Sequence, residues 1–219
     1  EQLDPSGEIA GAYDWAGELA RAYDVRLSLH PDQFVVLNSE REPVVRSAVQ
    51  ELEQQAKVAE LVGADVIVLH AGGASGGTQA ALERLERGLS LLSPRVRQRI
   101  ALENDDRCFT PASLAPLCQR SDVPLVYDVH HHRCLGDGLS VEEATELSFA
   151  TWGDREPYAH LSSPKGGWEA PNPRAHADYI HPHDFPAEWT DRTVTIDVEA
   201  KAKERAVMAI KSWELGARS

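Results

Sequence analysis

Short apolar runs rich in β-branched residues alternate along this chain with longer segments in which apolar residues recur at helical spacing. The short runs predict six strands, at residues 25–30, 65–70, 99–103, 124–128, 157–161 and 192–199. The longer segments predict helices at residues 14–23, 43–62, 78–92, 111–119, 141–152 and 200–213. Strands that alternate with helices in this way are typical of an α/β fold built on parallel strands.

Local signals mark two helix starts and one long connection. Thr110 precedes Pro111 as an N-cap residue, and Ser140 with Glu143 three residues later forms a capping-box pattern. Residues 162–188 form a connection rich in Pro, Gly, His and Trp. A connection of that length inside a compact domain is usually functional, so we expect it to cover a site.

Each predicted strand closes on a potential metal ligand, in the order His30, His70, Glu103, Asp128, His160 and Glu199. One histidine after a strand is more often a structural residue, but six such residues at equivalent positions reinforce one another. The carboxyl ends of the parallel strands in a barrel meet on one face, where active sites of that fold are built. We therefore expect these side chains to surround divalent cations.

Mixed imidazole and carboxylate ligands without thiolates suit manganese, zinc, iron or cobalt, and we favour manganese or zinc. Glu103 and Glu199 are candidates to bridge two ions. His131, three residues after Asp128, is expected at the same site, and His176 in the long connection is expected to reach it.

The remaining histidines are weaker candidates for metal ligands. We interpret His130 as a neighbour of the ligands or of the substrate, and His132 as a surface residue. His181 and His183 flank a proline in a turn-like stretch and are left outside the ligand set.

Composition limits the class of protein. The length of 219 residues suits one domain, spanning 1–219, and no apolar run is long enough to cross a membrane. Three cysteines without CxxC spacing favour a reducing, cytoplasmic location. The net charge of −13 argues against a simple basic nucleic-acid-binding module. Acidic groups neutralised by bound cations would weaken that argument.

Six segments together resemble the UV damage endonucleases, over about residues 14–211. The segments are Leu27-Ser28-Leu29-His30-Pro31-Asp32-Gln33-Phe34, Val68-Leu69-His70-Ala71-Gly72-Gly73, Leu102-Glu103-Asn104-Asp105, Tyr127-Asp128-Val129-His130-His131-His132-Arg133, His160-Leu161-Ser162-Ser163 and Asp197-Val198-Glu199-Ala200-Lys201-Ala202-Lys203. The resemblance depends on their combination and order, because no single segment would suffice.

The resemblance implies a TIM-type (β/α)8 barrel of the xylose isomerase-like class and a metal-dependent DNA repair endonuclease. That enzyme would cut damaged double-stranded DNA immediately 5′ to a UV photoproduct or other lesion, leaving 3′-hydroxyl and 5′-phosphate ends. It implies two or three manganese ions, ahead of zinc or magnesium. The matching ligand positions are His30, His70, Glu103, Asp128, His131, His160, His176 and Glu199.

Within that set, we assign catalytic roles to Glu103, Glu199 and His160. Gln33 and Phe34 match a loop that the family inserts into the duplex at the lesion, where an amide and an aromatic ring can replace lost base stacking. A purely structural role at the start of a helix is the alternative for these two residues.

Two departures from the family pattern stand out. Tyr158 occupies the position of a family lysine that becomes a carbamate and assists metal binding. The family barrel also has two strands before residue 14, so we expect an incomplete, N-terminally truncated barrel lacking its first two βα units. Open strand edges would then favour self-association.

Two other functions remain open. A sugar isomerase or epimerase uses similar ligands on the same barrel, but Gln33 and Phe34 have no obvious role in an enclosed sugar pocket. A non-catalytic metal-binding protein would close its coordination sphere with protein ligands alone.

Overall fold

The computed structural model describes residues 7–217, and from residue 214 onward only their backbone. The described chain divides into two compact units. The first comprises residues 7–103 with Arg120–Val123, and the second comprises Asn104–Gln119 with residues 124–217. Each unit contains three parallel strands flanked by helices, in agreement with the α/β class predicted from the sequence.

The first unit is built on strands β1, β2 and β3, which pair side by side in that order. Its elements in chain order are α1 (Glu8–Ala22), β1 (Ser28–Leu29), α2 (Glu42–Val62), β2 (Val66–His70), α3 (Thr78–Ser90), α4 (Pro94–Arg97) and β3 (Ile100–Glu103).

Burial in this unit follows the sequence pattern. Helix α2 buries Ala48, Leu52, Ala56 and Ala59, which recur every three or four residues and therefore share one face. Strand β2 is apolar from its first residue through Leu69 and buries all of those residues, as expected of a parallel strand covered on both faces.

The second unit contains strands β4, β5 and β6, again paired in chain order. Its elements are α5 (Pro111–Ser121, whose last two residues belong to the first unit), β4 (Leu125–Asp128), α6 (Val129–Cys134), α7 (Val141–Phe149), β5 (Tyr158–Leu161), β6 (Thr195–Val198) and α8 (Glu204–Ala217). Short 3-10 turns lie at Ala150–Trp152, Pro182–Asp184 and Ala187–Trp189.

A cluster of buried apolar residues holds the second unit together. Its aromatic centre is Trp189, whose ring lies edge-on to Tyr127 at 6.1 Å and near Phe149 at 6.3 Å. The buried indole nitrogen of Trp189 donates to the Thr145 hydroxyl. Residue 189 lies near the end of the long connection, so this segment contributes to the core.

The predicted helix starts are confirmed. The Ser140 hydroxyl accepts from Glu143 N at 3.1 Å, and the Glu143 carboxylate accepts from Ser140 N at 2.8 Å, which completes the capping box. Thr110 Oγ1 accepts from Ser113 N at 3.4 Å at the start of α5.

Several element boundaries differ from the sequence prediction: α1 begins at Glu8, α7 ends at Phe149, β6 is confined to Thr195–Val198, and the short helix α4 was not predicted. Three further differences have a local cause. Strand β1 pairs only Ser28 and Leu29, because Val25 is 54% exposed and Arg26 is engaged in a side-chain ion pair with Asp65. Helix α6 follows β4 without a loop, since Asp128 ends the strand and caps the helix. Helix α8 begins at Glu204 because residues 200–203 form a turn.

None of the helices in the described part of the chain combines the length and apolar content that a membrane crossing requires.

Two glycines of α1 provide a matched stability test. A Cβ at Gly17 would lie 2.6 Å from the carbonyl oxygen of Val62 in α2, whereas a Cβ at Gly11 would meet nothing within 4 Å. We predict that Gly17→Ala lowers the free energy of unfolding by about 1–3 kcal/mol because it forces the two helices apart. Gly11→Ala should raise it by up to about 1 kcal/mol through helix propensity. Urea denaturation of both variants measures the difference, and equal effects would contradict the close approach of α1 and α2.

Candidate metal centre

In the first unit, Glu103 at the end of β3 meets the two predicted histidine ligands. Its Oε2 lies 3.0 Å from His30 Nε2 and 3.4 Å from His70 Nδ1. The Glu103 side chain is about 1% exposed, while His30 and His70 are 32% and 27% exposed. The ring centroids of the two histidines are 4.8 Å apart. The group therefore has a buried carboxylate behind two imidazoles that solvent can reach.

The hydrogen bonds of His30 indicate how this group is used. Its Nδ1 lies 3.1 Å from the carbonyl oxygen of Pro31, which can only accept, so Nδ1 carries the proton. In the neutral ring, Nε2 then presents a lone pair toward Glu103 Oε2. Two lone pairs at this distance repel unless the ring is protonated or a cation is bound by both atoms.

In the second unit, Asp128 and His131 lie together where β4 passes into α6. Asp128 Oδ1 accepts from His131 N at 2.7 Å, and Asp128 Oδ2 lies 3.2 Å from His131 Nδ1. His131 Nδ1 also lies 3.1 Å from the carbonyl oxygen of Asn104. These two acceptors place the proton on Nδ1 and leave Nε2 of His131 available to a metal, as is usual for metal-binding histidines.

Asn104 orients this pair and was not singled out from the sequence. It is fully buried, its Nδ2 donates to Asp128 O at 2.8 Å, and its Oδ1 accepts from Asp128 N at 2.9 Å. The side-chain amide thus satisfies both backbone groups of the residue that carries the ligand carboxylate. The position of Asn104, directly after the glutamate that ends a strand, was the sequence signal that could have indicated its role.

The third group, also in the second unit, contains His160, His176 and Glu199. Glu199 Oε1 lies 3.5 Å from His160 Nδ1, and Glu199 Oε2 lies 3.7 Å from His176 Nδ1. His160 is fully buried in β5, and Glu199 directly follows β6. Each oxygen of one carboxylate thus faces a different imidazole, which is a geometry suited to a bridging ligand.

Backbone pairing carries His176 from the long connection to this group. His176 forms an antiparallel bridge with Pro164 just after β5, with Lys165 N donating to Ala175 O at 2.6 Å and Ala177 N donating to Ser163 O at 2.8 Å. The expectation that His176 reaches the strand-end residues is supported by this geometry.

His130 is fully buried beside the candidate ligands. Its ring lies edge-on to His176 at 5.1 Å and near Trp168 at 5.2 Å. Burial, together with the adjacent His176 and His131 rings, lowers the pKa of His130 to about 4. The ring is therefore neutral at neutral pH and packs against His176, a candidate ligand.

The interpretation of His132 as a surface residue is wrong. His132 is 4% exposed, with Nδ1 2.7 Å from the Tyr127 hydroxyl and Nε2 2.9 Å from Asp137 Oδ1. Burial on its own raises the pKa of Asp137, but hydrogen bonds from Ala112 N, His132 and Leu139 N outweigh it and hold the pKa below its ordinary value. Because α6 turns by about 100° per residue, His131 and His132 point in different directions.

The other predicted positions lie outside these groups. Phe34 is 79% exposed, and Gln33 is exposed beside it. Asp32 Oδ1 accepts from Phe34 N at 2.9 Å, which fixes the turn that presents both side chains. His181 and His183 are exposed. Tyr158 is buried, with its ring edge-on to His160 at 6.2 Å.

The separations within the groups fit ligands of divalent cations. Two donor atoms that each lie about 2.1 Å from one ion are about 3.0 Å apart at a right angle and about 3.4 Å apart at the tetrahedral angle. His30, His70 and Glu103 offer donor atoms that all lie within 4.8 Å of one another. A buried carboxylate also requires a compensating charge, which a cation supplies.

Comparison with known proteins decides between the chemistries that such groups support. Residues 6–217 match the family model described as UV-endonuclease UvdE. The chain belongs to the UvdE family. A curated UV DNA damage endonuclease of Deinococcus radiodurans is 38% identical over 208 residues, which cover 90% of this chain and 64% of that protein.

Solved structures agree with this family and fold. The crystal structure of SacUVDE matches with a TM-score of 0.86 and 29% identity, covering 98% of this chain and 75% of that one. A D-tagatose 3-epimerase-like protein matches with a TM-score of 0.68 at 19% identity, over 95% of this chain and 82% of that one, and shows only the fold. These neighbours are α/β folds of the TIM-barrel, xylose isomerase-like type, as the sequence predicted.

The Tyr127–His132–Asp137 chain in this UvdE family member yields a test. Tyr127→Phe removes one hydroxyl and leaves His132 Nδ1 buried without its partner. We predict that the free energy of unfolding falls by about 1–3 kcal/mol. Thermal denaturation measures the loss, and metal content should stay unchanged because Tyr127 contacts none of the candidate ligands through its hydroxyl. Unaltered stability would show that the hydrogen bond contributes nothing.

Proposed function

We propose that this protein is a metal-dependent DNA repair endonuclease that hydrolyses the phosphodiester immediately 5′ to a UV photoproduct or other lesion, leaving 3′-hydroxyl and 5′-phosphate ends. Membership of the UvdE family carries the proposal. The buried Glu103 carboxylate between His30 and His70 supports its metal dependence.

The proposed ligands are the eight residues that the three groups contain, namely His30, His70, Glu103, Asp128, His131, His160, His176 and Glu199. We propose manganese, in two or three ions, ahead of zinc or magnesium, because imidazoles and carboxylates are mixed without thiolates. Bound divalent cations would supply Lewis-acid stabilisation of charge on the phosphate and lower the pKa of water.

The residues themselves hold and orient those cations. Glu103 and Glu199 each face two imidazoles, so each is proposed as a bridging carboxylate. His160, fully buried against Glu199, is proposed as the third residue of the catalytic set. His131 is oriented through its protonated Nδ1 by Asn104 and Asp128, which leaves Nε2 directed away from both.

A sugar epimerase on the same fold is the alternative that the family assignment disfavours. The likeness to an epimerase-like protein shows a shared fold and not a shared substrate. Exposed Gln33 and Phe34 suit a partner that approaches from solvent, as a duplex does, better than a small polyol enclosed in a pocket. The self-association expected of an incomplete barrel stays a prediction.

Incubation with Mn²⁺ and an end-labelled duplex carrying one photoproduct or abasic site tests the proposed function directly. A nick on the 5′ side of the lesion with a ligatable 3′-hydroxyl is expected, and an undamaged duplex and an EDTA-treated sample should remain uncut. Cleavage elsewhere, or cleavage that survives chelation, would contradict the proposal.

Substitution of Glu103 tests the metal assignment. Glu103→Gln removes the buried charge while keeping the shape, so we predict at least about tenfold weaker metal affinity and a corresponding loss of cleavage. Glu86→Gln is the matched control, because Glu86 belongs to the same unit but pairs with Arg120 at the surface. Metal analysis after dialysis distinguishes the two variants, and equal metal content in both would remove Glu103 from the ligand set.

Gln33 and Phe34 are proposed to recognise damage without contributing to metal binding. Replacing both by Ala should preserve metal content and weaken the preference for lesion over intact duplex, since stacking on an aromatic ring contributes about 1–3 kcal/mol per base. Tyr23→Ala is the control, because Tyr23 is another exposed aromatic residue, 76% accessible and in the same unit. Equal loss of binding to both duplexes would indicate a purely structural role.

A further inference from the structure

Most arginines at the surface of this acidic chain are paired with carboxylates. Examples are Arg26 with Asp65 at 2.7 Å, Arg120 with Glu86 at 3.0 Å and Arg174 with Asp106 at 3.0 Å. Such pairing is expected where 35 acidic residues outnumber 22 basic ones. The lysines differ from most arginines in this respect, and the position of three of them is informative.

None of the five lysines forms an ion pair within the residues whose side chains the structure describes, and three of them occur together in the second unit around His176. Lys165, Lys201 and Lys203 are exposed, and none forms an ion pair within the described part of the chain. Glu204 is adjacent to Lys203 in sequence, and the backbone of Asp178 accepts from Ala202 N, yet neither carboxylate forms an ion pair with these lysines within the described residues. We call Lys165, Lys201 and Lys203 the lysine patch.

Backbone hydrogen bonds place two members of the patch on either side of His176. Lys165 N donates to Ala175 O at 2.6 Å, and Lys201 N donates to Ala177 O at 3.1 Å. Ala175 and Ala177 are the immediate neighbours of His176 in the chain. Lys201 also lies two residues after Glu199, so their Cα atoms are at most about 7 Å apart. The patch therefore brackets the His176–Glu199 pair.

The third member sits in an unusual backbone conformation. Lys203 has φ of 51°, in the left-handed region that lysine rarely adopts. Its strained turn is held by Lys203 N donating to Ala200 O and by Ala202 N donating to Asp178 O, both at 3.0 Å. The turn fixes Lys201 and Lys203 beside one another, where a glycine would have relieved the strain but supplied no charge.

We propose that the lysine patch binds the backbone phosphates of a nucleic acid duplex next to the His176–Glu199 pair. This inference rests on the proposed function, and it names the surface that holds the substrate. Lysine is a point charge that binds phosphate without reading sequence. The net charge of −13 repels DNA, but salt screens that repulsion beyond about 8–10 Å. Cations in contact with phosphates are screened far less, so a local patch suffices.

The test measures duplex binding as a function of salt concentration. The proteins are the full chain loaded with Mn²⁺, the single variants Lys165→Gln, Lys201→Gln and Lys203→Gln, and the triple variant. The probe is an undamaged duplex of about 20 base pairs, which measures phosphate contacts independently of cleavage. Each lost contact should flatten the plot of log K against log salt concentration by about 0.9.

Matched variants separate this role from a general charge effect. Lys57→Gln and Lys211→Gln remove lysines from helices α2 and α8 and should leave the slope unchanged. Lys201→Arg should retain the slope. Metal content should be unaltered in every variant, and weakening should be equal on damaged and undamaged duplex because phosphates are identical in both.

The possible failures can be told apart. Slopes that do not change in the triple variant, or that fall equally in the Lys57 control, overturn the inference while leaving the proposed function intact. Loss of metal from the patch variants would show that the lysines support the fold of the site and would equally overturn it. If the wild-type protein binds duplex with the expected slope but never nicks damaged DNA, the proposed function fails and the lysine patch stands.

Discussion

A buried carboxylate needs a positive partner, and this requirement shapes the candidate site more than any other interaction. Glu103 and Asp128 are both fully buried at the ends of strands, where an isolated charge would be strongly unfavourable. Imidazoles supply that charge only when they are protonated, and the hydrogen bond from His30 Nδ1 to Pro31 leaves its Nε2 lone pair directed at Glu103. A divalent cation bound by both side chains would resolve this conflict.

Residues around the candidate ligands hold these side chains in place. The reciprocal amide pair of Asn104 and Asp128 orients one carboxylate, and the backbone pairing of residues 163–165 with residues 175–177 delivers His176. The buried hydrogen-bonded chain from Tyr127 through His132 to Asp137 ties α6 to the turn that follows it. These contacts restrict the ligand side chains before any metal binds, which reduces the conformational entropy lost on binding.

The sequence predicted the strands and the histidine or carboxylate residue at the end of each, because both follow from local, periodic patterns. Strand β2 is apolar up to Leu69 and ends at His70. The sequence therefore indicates both where the strand ends and which candidate ligand lies there. What escaped prediction depends on contacts distant in sequence. His132 and His131 are adjacent histidines with no compositional difference, and only the rotation of α6 and the position of Asp137 bury one of them. The length of strand β1 depends on how many of its residues pair with β2, and only two do. The sequence of β1 alone does not specify that number.

Asn104 has a consequence for how the protein ages. The Asn104 side chain donates from Nδ2 to Asp128 O and accepts at Oδ1 from Asp128 N. The nitrogen and oxygen of this amide therefore cannot exchange places. Asparagine is among the thermolabile residues, and hydrolysis of this amide would produce an aspartate with two acceptor oxygens. One of them would then face the carbonyl oxygen of Asp128, and a new negative charge would lie beside an existing buried one. Chemical damage of a few atoms at this position would therefore misplace the Asp128 carboxylate and destabilise the packing around it.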